Sequence, residues 1–343
     1  MIRKKYQKIT FVVLLISFGC CFLVIGQETT GDLTAPEEVI TPSDALISDT
    51  EPDPIFSLYH DGIKRTYGVH LPLNYADGRR KNPVVIYLHG AGGDIGSAYQ
   101  DGIDKIADKY GFILAIPVAT RTLWWQPSST RWNGGEWEGG ECCGAADDVG
   151  FISKMIAKLR LQYNVNPNQI YATGISNGGL MVNRLACELS DKIAAVAVVA
   201  PTAIPQNCVP SISVSVMGIH GTGDPCNPYD GSQPAGACGK VSYTRMSPGE
   251  VVDAWLNILG CSQEYTTVYD NGDANCISYN GSNGSEVTFC KVEKMGHTWP
   301  SGSQYLPESI VGPVSNDIST DQIWEFFQRH SLWKNRFKRA SIK

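Results

Sequence analysis

The sequence predicts an α/β fold in which helices flank a mostly parallel, doubly wound sheet. Strand-like and helix-like segments alternate along most of the chain, which is typical of parallel strands joined by crossover helices. Several strand segments are continuous apolar runs, for example Val84-Val85-Ile86-Tyr87-Leu88. Such runs are expected where both faces of a sheet are covered. The 343 residues suffice for one large domain of this kind, and no internal repeat or second domain is visible.

Hydrophobic periodicity gives the order of the elements. Helix starts are marked by Asp147 or Asp148, either of which can cap a helix, and by a capping box, Ser247-Pro248-Gly249-Glu250. A long irregular insert, residues 120–146, separates two of the units, and loops of this length are usually functional. Strands are predicted at residues 65–71, 84–88, 112–116, 170–173, 194–199, 213–219 and 286–292, and helices at residues 99–110, 148–163, 177–185, 247–259 and 321–330.

The chain ends differ in composition from the middle. Basic residues precede an apolar run that ends near Gly26, which predicts a secretory signal peptide over residues 1–26. An uncleaved membrane anchor and lipidation at Cys20 are the alternatives. Residues 27–57 are acidic, rich in Thr and Pro and without aromatic residues until Phe56, which predicts a flexible linker. The folded domain is predicted over residues 58–332, followed by a basic tail at 333–343.

Charge and cysteine content narrow the class of protein. The formal net charge is -6, which argues against a nucleic-acid partner. Nine cysteines remain after the predicted signal, and in an exported chain they are expected to form disulfides. Their spacings match no zinc pattern, so no metal site is predicted. Once the signal is removed, we expect a secreted protein without a membrane contact.

Cysteine spacing suggests two local bridges. Cys226–Cys238 would close a Pro/Gly loop, and Cys276–Cys290 would cross a hairpin. The adjacent Cys142 and Cys143 suit two bridges to separate partners. Because nine is odd, one thiol must be free or pair outside the chain.

The motif Gly174-Ile175-Ser176-Asn177-Gly178 stands between a strand-like run and a helix-like pattern. This is the G-x-S-x-G sequence of a nucleophile elbow, in which a strained turn raises the serine above the sheet. Glycines are expected on both sides because a Cβ there would collide with the crossing strand or helix. The motif therefore predicts Ser176 as a nucleophile.

A nucleophilic serine needs a base, an acid and donors for an oxyanion. His297 lies in a Gly/Pro loop after the last strand, and Asp224 follows the strand at 213–219. This order, Ser then acid then His, is that of α/β-hydrolases. The predicted oxyanion donors are the backbone N–H groups of Asn177 and Ala91, with Gly92 as the alternative to Ala91 in the glycine-rich turn after residue 88.

Six segments together resemble one family. They are residues 171–179, 186–187, 142–144, 147–152, 220–224 and 296–300. The chain is similar in these segments, and from about residue 63 to 328, to secreted esterases of the polyhydroxybutyrate-depolymerase type, which include feruloyl esterases of carbohydrate esterase family one. The resemblance implies an α/β-hydrolase fold and hydrolysis of carboxylic esters without a cofactor. Ser176, Asp224 and His297 match the triad positions of the family.

Tryptophans give the only indication of the substrate. Trp124, Trp125, Trp132 and Trp299 are predicted to bind it, because indole rings suit aromatic acyl groups and sugars. Packing of the insert against the core is the alternative for each of them. The predicted substrate is a feruloyl-like ester of plant polysaccharide. The alternatives are a hydroxyalkanoate polyester, transfer of the acyl group to a sugar, and a catalytically inactive recognition protein.

Overall fold

The computed structural model describes residues 53–75, 80–123, 126–137, 140–234, 238 and 244–335. The predicted signal peptide, most of the linker and residues 336–343 of the basic tail lie outside these residues. No helix in the described part of the chain is both long and apolar enough to cross a bilayer.

Ten of the described strands form one sheet. They are β1 (Ile55–His60), β2 (Ile63–His70), β3 (Asn82–Leu88), β4 (Ile113–Pro117), β9 (Val165–Ile175), β10 (Ala195–Val199), β11 (Ser215–Gly221), β12 (Cys261–Asn271), β13 (Ala274–Gly281) and β14 (Glu286–Val292). Their order across the sheet is β1-β2-β4-β3-β9-β10-β11-β14-β13-β12. The six strands from β4 to β14 are parallel to one another, and the strands on either side pair antiparallel. The predicted mostly parallel sheet is confirmed.

Helices cover both faces of this sheet. They are α1 (Gly96–Gln100), α2 (Ile103–Tyr110), α3 (Asp148–Gln162), α4 (Asn177–Glu188), α5 (Pro248–Leu259), α6 (Glu308–Val311) and α7 (Thr320–Gln328). Side chains of α3, α4 and α5 pack with one face of the sheet, and side chains of α2 and α7 pack with the other. All residues of β3, β4 and β10 are buried, as their continuous apolar runs predict.

Several elements differ from the sequence prediction. β1 begins at Ile55 and so includes the last residues of the predicted linker. The helix predicted over residues 99–110 is divided into α1 and α2 because Gly102 adopts a positive φ of 68°. β12, β13 and the short helix α6 are not among the predicted elements. β12 is mostly exposed and polar and therefore lacks a clear hydrophobic alternation.

The insert carries only short elements. The strands β5 (Thr120–Arg121) and β6 (Thr130–Arg131) form one small ladder, and β7 (Gly135–Trp137) and β8 (Gly140–Cys142) form another. The predicted cap of α3 is Asp147, whose side chain accepts a hydrogen bond from the Gly150 N–H at 2.9 Å. The capping box at Ser247 is confirmed for α5.

Three disulfides join described cysteines. Cys226–Cys238 and Cys276–Cys290 confirm the two local predictions, and Cys187–Cys208 was not predicted. Cys143 is disulfide-bonded as well, but the side chain of Cys142 lies outside the described residues. Separate partners for that adjacent pair therefore remain a prediction. Cys261 is the free thiol of the described part of the chain.

A buried ion pair ties α3 to the edge of the sheet. Arg65 on β2 donates to Asp148 at 2.6 Å, and both side chains are almost fully buried. The guanidinium lies 4.0 Å from the centre of the Phe151 ring, and the second carboxylate oxygen of Asp148 accepts the Asn133 N–H at 2.7 Å. Burial raises the pKa of Asp148 even with the guanidinium beside it. Removal of one partner would therefore leave a costly buried charge.

We expect Arg65→Met to lower the free energy of unfolding by about 3–5 kcal/mol at pH 7, because Asp148 loses its cation. The deficit should shrink as the pH falls towards 5, since a carboxyl without its cation protonates more readily in the folded state. Urea unfolding followed by circular dichroism measures both values. The control is Lys294→Ala, which breaks an exposed pair with Asp273 and should have little effect on stability.

Candidate active site

The serine motif forms a tight turn between β9 and α4. Ser176 is the N-cap of α4 and has φ 59° and ψ -124°, a strained conformation for a residue with a side chain. The side chain therefore stands at the carboxyl end of β9, beside the N-terminus of a helix. The predicted strand–turn–helix arrangement around Ser176 is confirmed.

The glycines around Ser176 allow backbone segments to touch. A Cβ on Gly174 would lie 2.5 Å from the carbonyl oxygen of Leu88, and a Cβ on Gly178 would lie 2.5 Å from that of His89. No real Cβ makes such contacts with a carbonyl oxygen. The end of β3 can therefore pass directly over the elbow only because both positions lack a side chain.

Parallel pairing brings the ends of three strands to one edge. Val199 at the end of β10 pairs with Ile175 on one side and with Ile219 on the other. Gly221, at the end of β11, pairs with Val292 of β14. Ser176, Asp224 and His297 follow β9, β11 and β14, so the sheet brings three residues that are distant in the sequence to the same edge.

Asp224 and His297 are joined by a hydrogen bond. The Nδ1 atom of His297 lies 2.7 Å from Oδ2 of Asp224, so Nδ1–H can donate to the carboxylate. The other carboxylate oxygen accepts backbone N–H groups of Cys226 at 2.8 Å and Asn227 at 2.7 Å. Burial alone would raise the pKa of Asp224, but the charge and hydrogen bond of His297 and the backbone donor at Asn227 outweigh it and lower that pKa. The carboxyl is therefore held in its ionised form.

Glycines also set the distance between the acid turn and the histidine loop. A Cβ on Gly223 would lie 2.5 Å from the carbonyl oxygen of Lys294, and the Gly223 N–H donates to the carbonyl oxygen of Met295 at 3.0 Å. The Lys294 N–H donates back to the Thr222 hydroxyl at 2.9 Å. The turn that carries Asp224 and the loop that carries His297 are thus held together by direct backbone contact.

Ser176 and His297 line the same cleft, which has a volume of about 940 Å³. No hydrogen bond joins these two described side chains. Catalytic hydrogen bonds are often long or poorly aligned without substrate, so this geometry is compatible with proton transfer in a complex. The cleft is also lined by Ala91, Asn177 and Trp299.

In the glycine-rich turn after β3, backbone hydrogen bonds distinguish Ala91 from Gly92 as the second oxyanion donor. The Gly92 N–H donates to the carbonyl oxygen of Thr130 at 2.9 Å, so it is not directed at a substrate. The Gly93 N–H closes the turn onto Gly90 at 3.1 Å. Ala91 precedes both of these glycines and lines the cleft. The arrangement therefore favours Ala91 over Gly92 as a donor.

The prediction that Trp132 binds the substrate is wrong, because this residue does not line the cleft. Its side chain is fully buried, as the packing alternative allowed. The indole Nε1–H donates to the carbonyl oxygen of His89 at 3.0 Å. Its backbone N–H and carbonyl oxygen bond the side-chain amide of Asn177 at 2.7 and 3.1 Å. Trp132 thus connects the residue after Ser176 with the turn that contains Ala91.

His89 completes this connection. Burial lowers the pKa of His89 to about 4, so the ring is neutral near pH 7. A neutral ring can donate from Nδ1 to the Gly90 carbonyl oxygen, 2.7 Å away, and accept the Ala119 N–H at Nε2, 3.2 Å away. These bonds fix the conformation of the turn.

The other predicted substrate residues have mixed outcomes. Trp299 lines the cleft, although only 1% of its surface is exposed. Trp124 and Trp125 lie outside the described residues. Sequence reasoning missed Asp101, Arg131 and Tyr305, which also line the cleft. Single polar residues in loops and helix ends carry no periodic signal that would have identified them.

One group of three potential metal ligands occurs among the described residues. It consists of Asp224, Cys226 and His297. The sulfur of Cys226 is in a disulfide with Cys238, and the carboxylate and imidazole bond each other. This donor set does not suit a metal, because a thiolate is the form of cysteine that binds one.

The fold and the edge of the sheet just described are those of an α/β-hydrolase. A solved structure with this fold, the acetyl xylan esterase from Aspergillus awamori, matches with a TM-score of 0.51 and 14% identity over 80% of this chain and 99% of the other. The model of the Esterase family ("Putative esterase") matches residues 62–293. The chain belongs to this family and is a carboxylic ester hydrolase.

Two relatives have more specific names. The chain is 32% identical over 178 residues to feruloyl esterase B of Piromyces equi, a match that covers 49% of this chain and 32% of the relative. It is 29% identical over 246 residues to the poly(3-hydroxybutyrate) depolymerase of Ralstonia pickettii, covering 65% and 49%. The matches thus span about a third and about half of the lengths of these two relatives.

We expect Gly178→Ala to destabilise the protein by about 3 kcal/mol or more, because the new Cβ meets two backbone carbonyl oxygens that cannot move independently. Thermal unfolding of the purified variant measures the loss. Gly249→Ala is the matched control, since a Cβ there has nothing within 4 Å. It should change the stability by less than about 1 kcal/mol, in the stabilising direction. Equal effects of the two changes would contradict the steric explanation.

Proposed function

We propose that this esterase is a secreted, feruloyl-esterase-like enzyme that hydrolyses aromatic acyl esters of plant polysaccharide. The observation that carries the catalytic part is the 2.7 Å contact of His297 with Asp224 at a cleft that also contains the elbow residue Ser176. Side chains of Tyr87, Trp299 and Tyr305 line the same cleft and suit a planar acyl group. The feruloyl esterase relative supports the same substrate class.

In this proposal Ser176 is the nucleophile. His297 takes the hydroxyl proton as Ser176 Oγ attacks the ester carbonyl, and Asp224 orients the imidazole and stabilises its protonated form. The N–H groups of Ala91 and Asn177 stabilise the oxyanion. The proton then passes to the leaving alcohol, and an acyl-enzyme remains. Water, activated by His297, releases the acid and restores the serine, so the reaction needs no cofactor.

Secretion is part of the proposal. Three disulfides in the described residues suit an oxidising compartment, and the N-terminal sequence has the pattern of an export signal. The partner is then an ester-bearing polymer outside the cell.

Labelling with a fluorophosphonate tests the nucleophile. We expect Ser176→Ala to abolish labelling and to lower the hydrolysis of methyl ferulate at least about 10³-fold, because the acyl-enzyme cannot form. Ser128→Ala, a change to another serine of the cleft, should still be labelled. Mass spectrometry locates the label. Persistence of the label in Ser176→Ala would refute the assigned nucleophile, and a wild type that neither reacts nor hydrolyses esters would indicate an inactive protein.

A substrate panel tests the specificity. Methyl ferulate and a 3-hydroxybutyrate oligomer are compared on the secreted protein, with free sugars present as acceptors. Hydrolysis of the oligomer alone would support the polyester alternative, which the relative from Ralstonia pickettii favours. Acyl sugars among the products would reveal a transferase.

We expect Trp132→Phe to lower kcat about 10-fold with a smaller effect on KM, because the carbonyl oxygen of His89 loses a buried donor and the turn with Ala91 is less firmly held. Trp255→Phe is the matched control. That indole is also buried, but its N–H has no hydrogen-bond partner in the described structure. Steady-state kinetics should show little change in the control, and equal losses in both variants would argue against a specific role for Trp132.

A further inference from the structure

The cleft contains a carboxyl group that the proposed mechanism does not use. Asp101 follows α1 and lines the cleft together with Ser176 and His297. The Tyr87 hydroxyl donates to Asp101 Oδ2 at 2.5 Å. In the described part of the chain this is the one hydrogen bond to the carboxyl, and no described cation forms an ion pair with it.

The environment of Asp101 is unfavourable for a charge. The side chain of Asp101 is partly buried, and this partial removal from water raises its pKa to about 7 despite the bond from Tyr87. The carboxyl oxygen that Tyr87 does not bond is open to a donor from a ligand, and a ligand that covers it without donating would leave it unsatisfied. Strongly perturbed acids in clefts are common at functional sites for this reason.

Aromatic side chains surround this part of the cleft. The ring of Trp299 lies edge-on to that of Tyr87, with centres 5.5 Å apart and planes at 72°. The indole is held by a 2.9 Å hydrogen bond from Nε1 to the Thr320 hydroxyl. Tyr305 also lines the cleft and donates from its hydroxyl to the carbonyl oxygen of His297 at 3.0 Å. The rings therefore lie between the histidine loop and Asp101.

We propose that Tyr87, Asp101, Trp299 and Tyr305 form a hydroxyl-recognition subsite for the acyl group of the substrate. The planar acyl group lies in the cleft against Tyr305, the one exposed ring of the three, and its phenolic hydroxyl donates to the oxygen of Asp101 that Tyr87 leaves open. This inference rests on the proposed esterase function and deepens it, because it assigns a specificity residue that does not take part in the chemical steps.

The chemistry of the subsite selects among ring substituents. A phenolic hydroxyl can donate to a carboxyl oxygen, whereas a methoxy group or a bare ring leaves that oxygen without a donor. A site that is built to bind a hydroxyl rejects analogues that lack one, because the analogue then covers a polar group of the protein without forming a hydrogen bond to it. A negatively charged substituent would be repelled by the ionised form of Asp101.

The test compares methyl 4-hydroxycinnamate with methyl 4-methoxycinnamate and methyl cinnamate. We expect the wild type to prefer the hydroxylated ester by about 10- to 100-fold in kcat/KM. Asp101→Ala should reduce this ratio to near one. Asp104→Asn, which removes a nearby carboxylate that does not line the cleft, should keep it. A wild type that hydrolyses all three esters equally would overturn the subsite and leave the esterase mechanism intact. An equal loss of kcat/KM on all three esters in Asp101→Ala would have the same meaning.

Binding gives a second measurement that does not depend on catalysis. Calorimetric titration of Ser176→Ala with the hydroxylated and bare esters should show the same preference, and the double change with Asp101→Asn or Asp101→Ala should remove it. Retention of the preference in both double variants would overturn the assignment of Asp101. If the wild type hydrolyses no ester, this titration still decides on the subsite while the proposed function fails.

Stability measurements show whether the variants fold and whether the charged form of Asp101 destabilises the folded state. The pKa of Asp101 is raised in the folded state, so its cost to stability sets in above the unfolded value of 3.8 and grows as the pH rises to about 7. Asp101→Asn removes this cost and keeps an acceptor for Tyr87, while Tyr305 carries no charge in this range. We expect the difference in melting temperature, Asp101→Asn minus wild type, to be larger at pH 8 than at pH 5. An unchanged difference would mean that Asp101 is hydrated and unsuited to the proposed role.

Discussion

The candidate site depends on backbone segments that approach each other without a side chain between them. The end of β3 passes over the elbow at Gly174 and Gly178, and the acid turn touches the histidine loop at Gly223. Carbonyl oxygens occupy the space where Cβ atoms would be. These contacts fix the positions of Ser176, Asp224 and His297 more firmly than flexible side-chain packing could, because each segment is also held in the ladder of a buried parallel sheet.

The long insert supports the site through Trp132, a residue that does not line the cleft. Trp132 bonds the amide of Asn177 with its backbone and the carbonyl oxygen of His89 with its indole. The carbonyl oxygen of Thr130 accepts a hydrogen bond from the Gly92 N–H. The insert therefore links the two segments that would bind an oxyanion. Preorganised donors are effective because they need no rearrangement when negative charge develops.

Two carboxyl groups near the cleft, the buried Asp224 and the partly buried Asp101, have opposite environments. Asp224 has an imidazole and two backbone donors, and its pKa is lowered. Asp101 has one phenol and no described cation, and its pKa is raised to about 7. Burial acts to raise the pKa of both, so the opposite outcomes come from the partners that the fold supplies. Such pairs of acids with separated pKa values are characteristic of sites in which the two groups do different work.

The sequence by itself determined the parallel sheet, the elbow, two of the disulfides and the order of the three candidate catalytic residues, because continuous apolar runs and glycine turns have local causes. The orientation of Trp132 could not be read from the sequence, since burial in the insert depends on partners such as His89 and Asn177 that are distant in the chain. Asp101 was missed for the same reason. Its raised pKa reflects partial burial without an ion-pair partner among the described residues, and only the tertiary structure decides which groups surround a carboxyl.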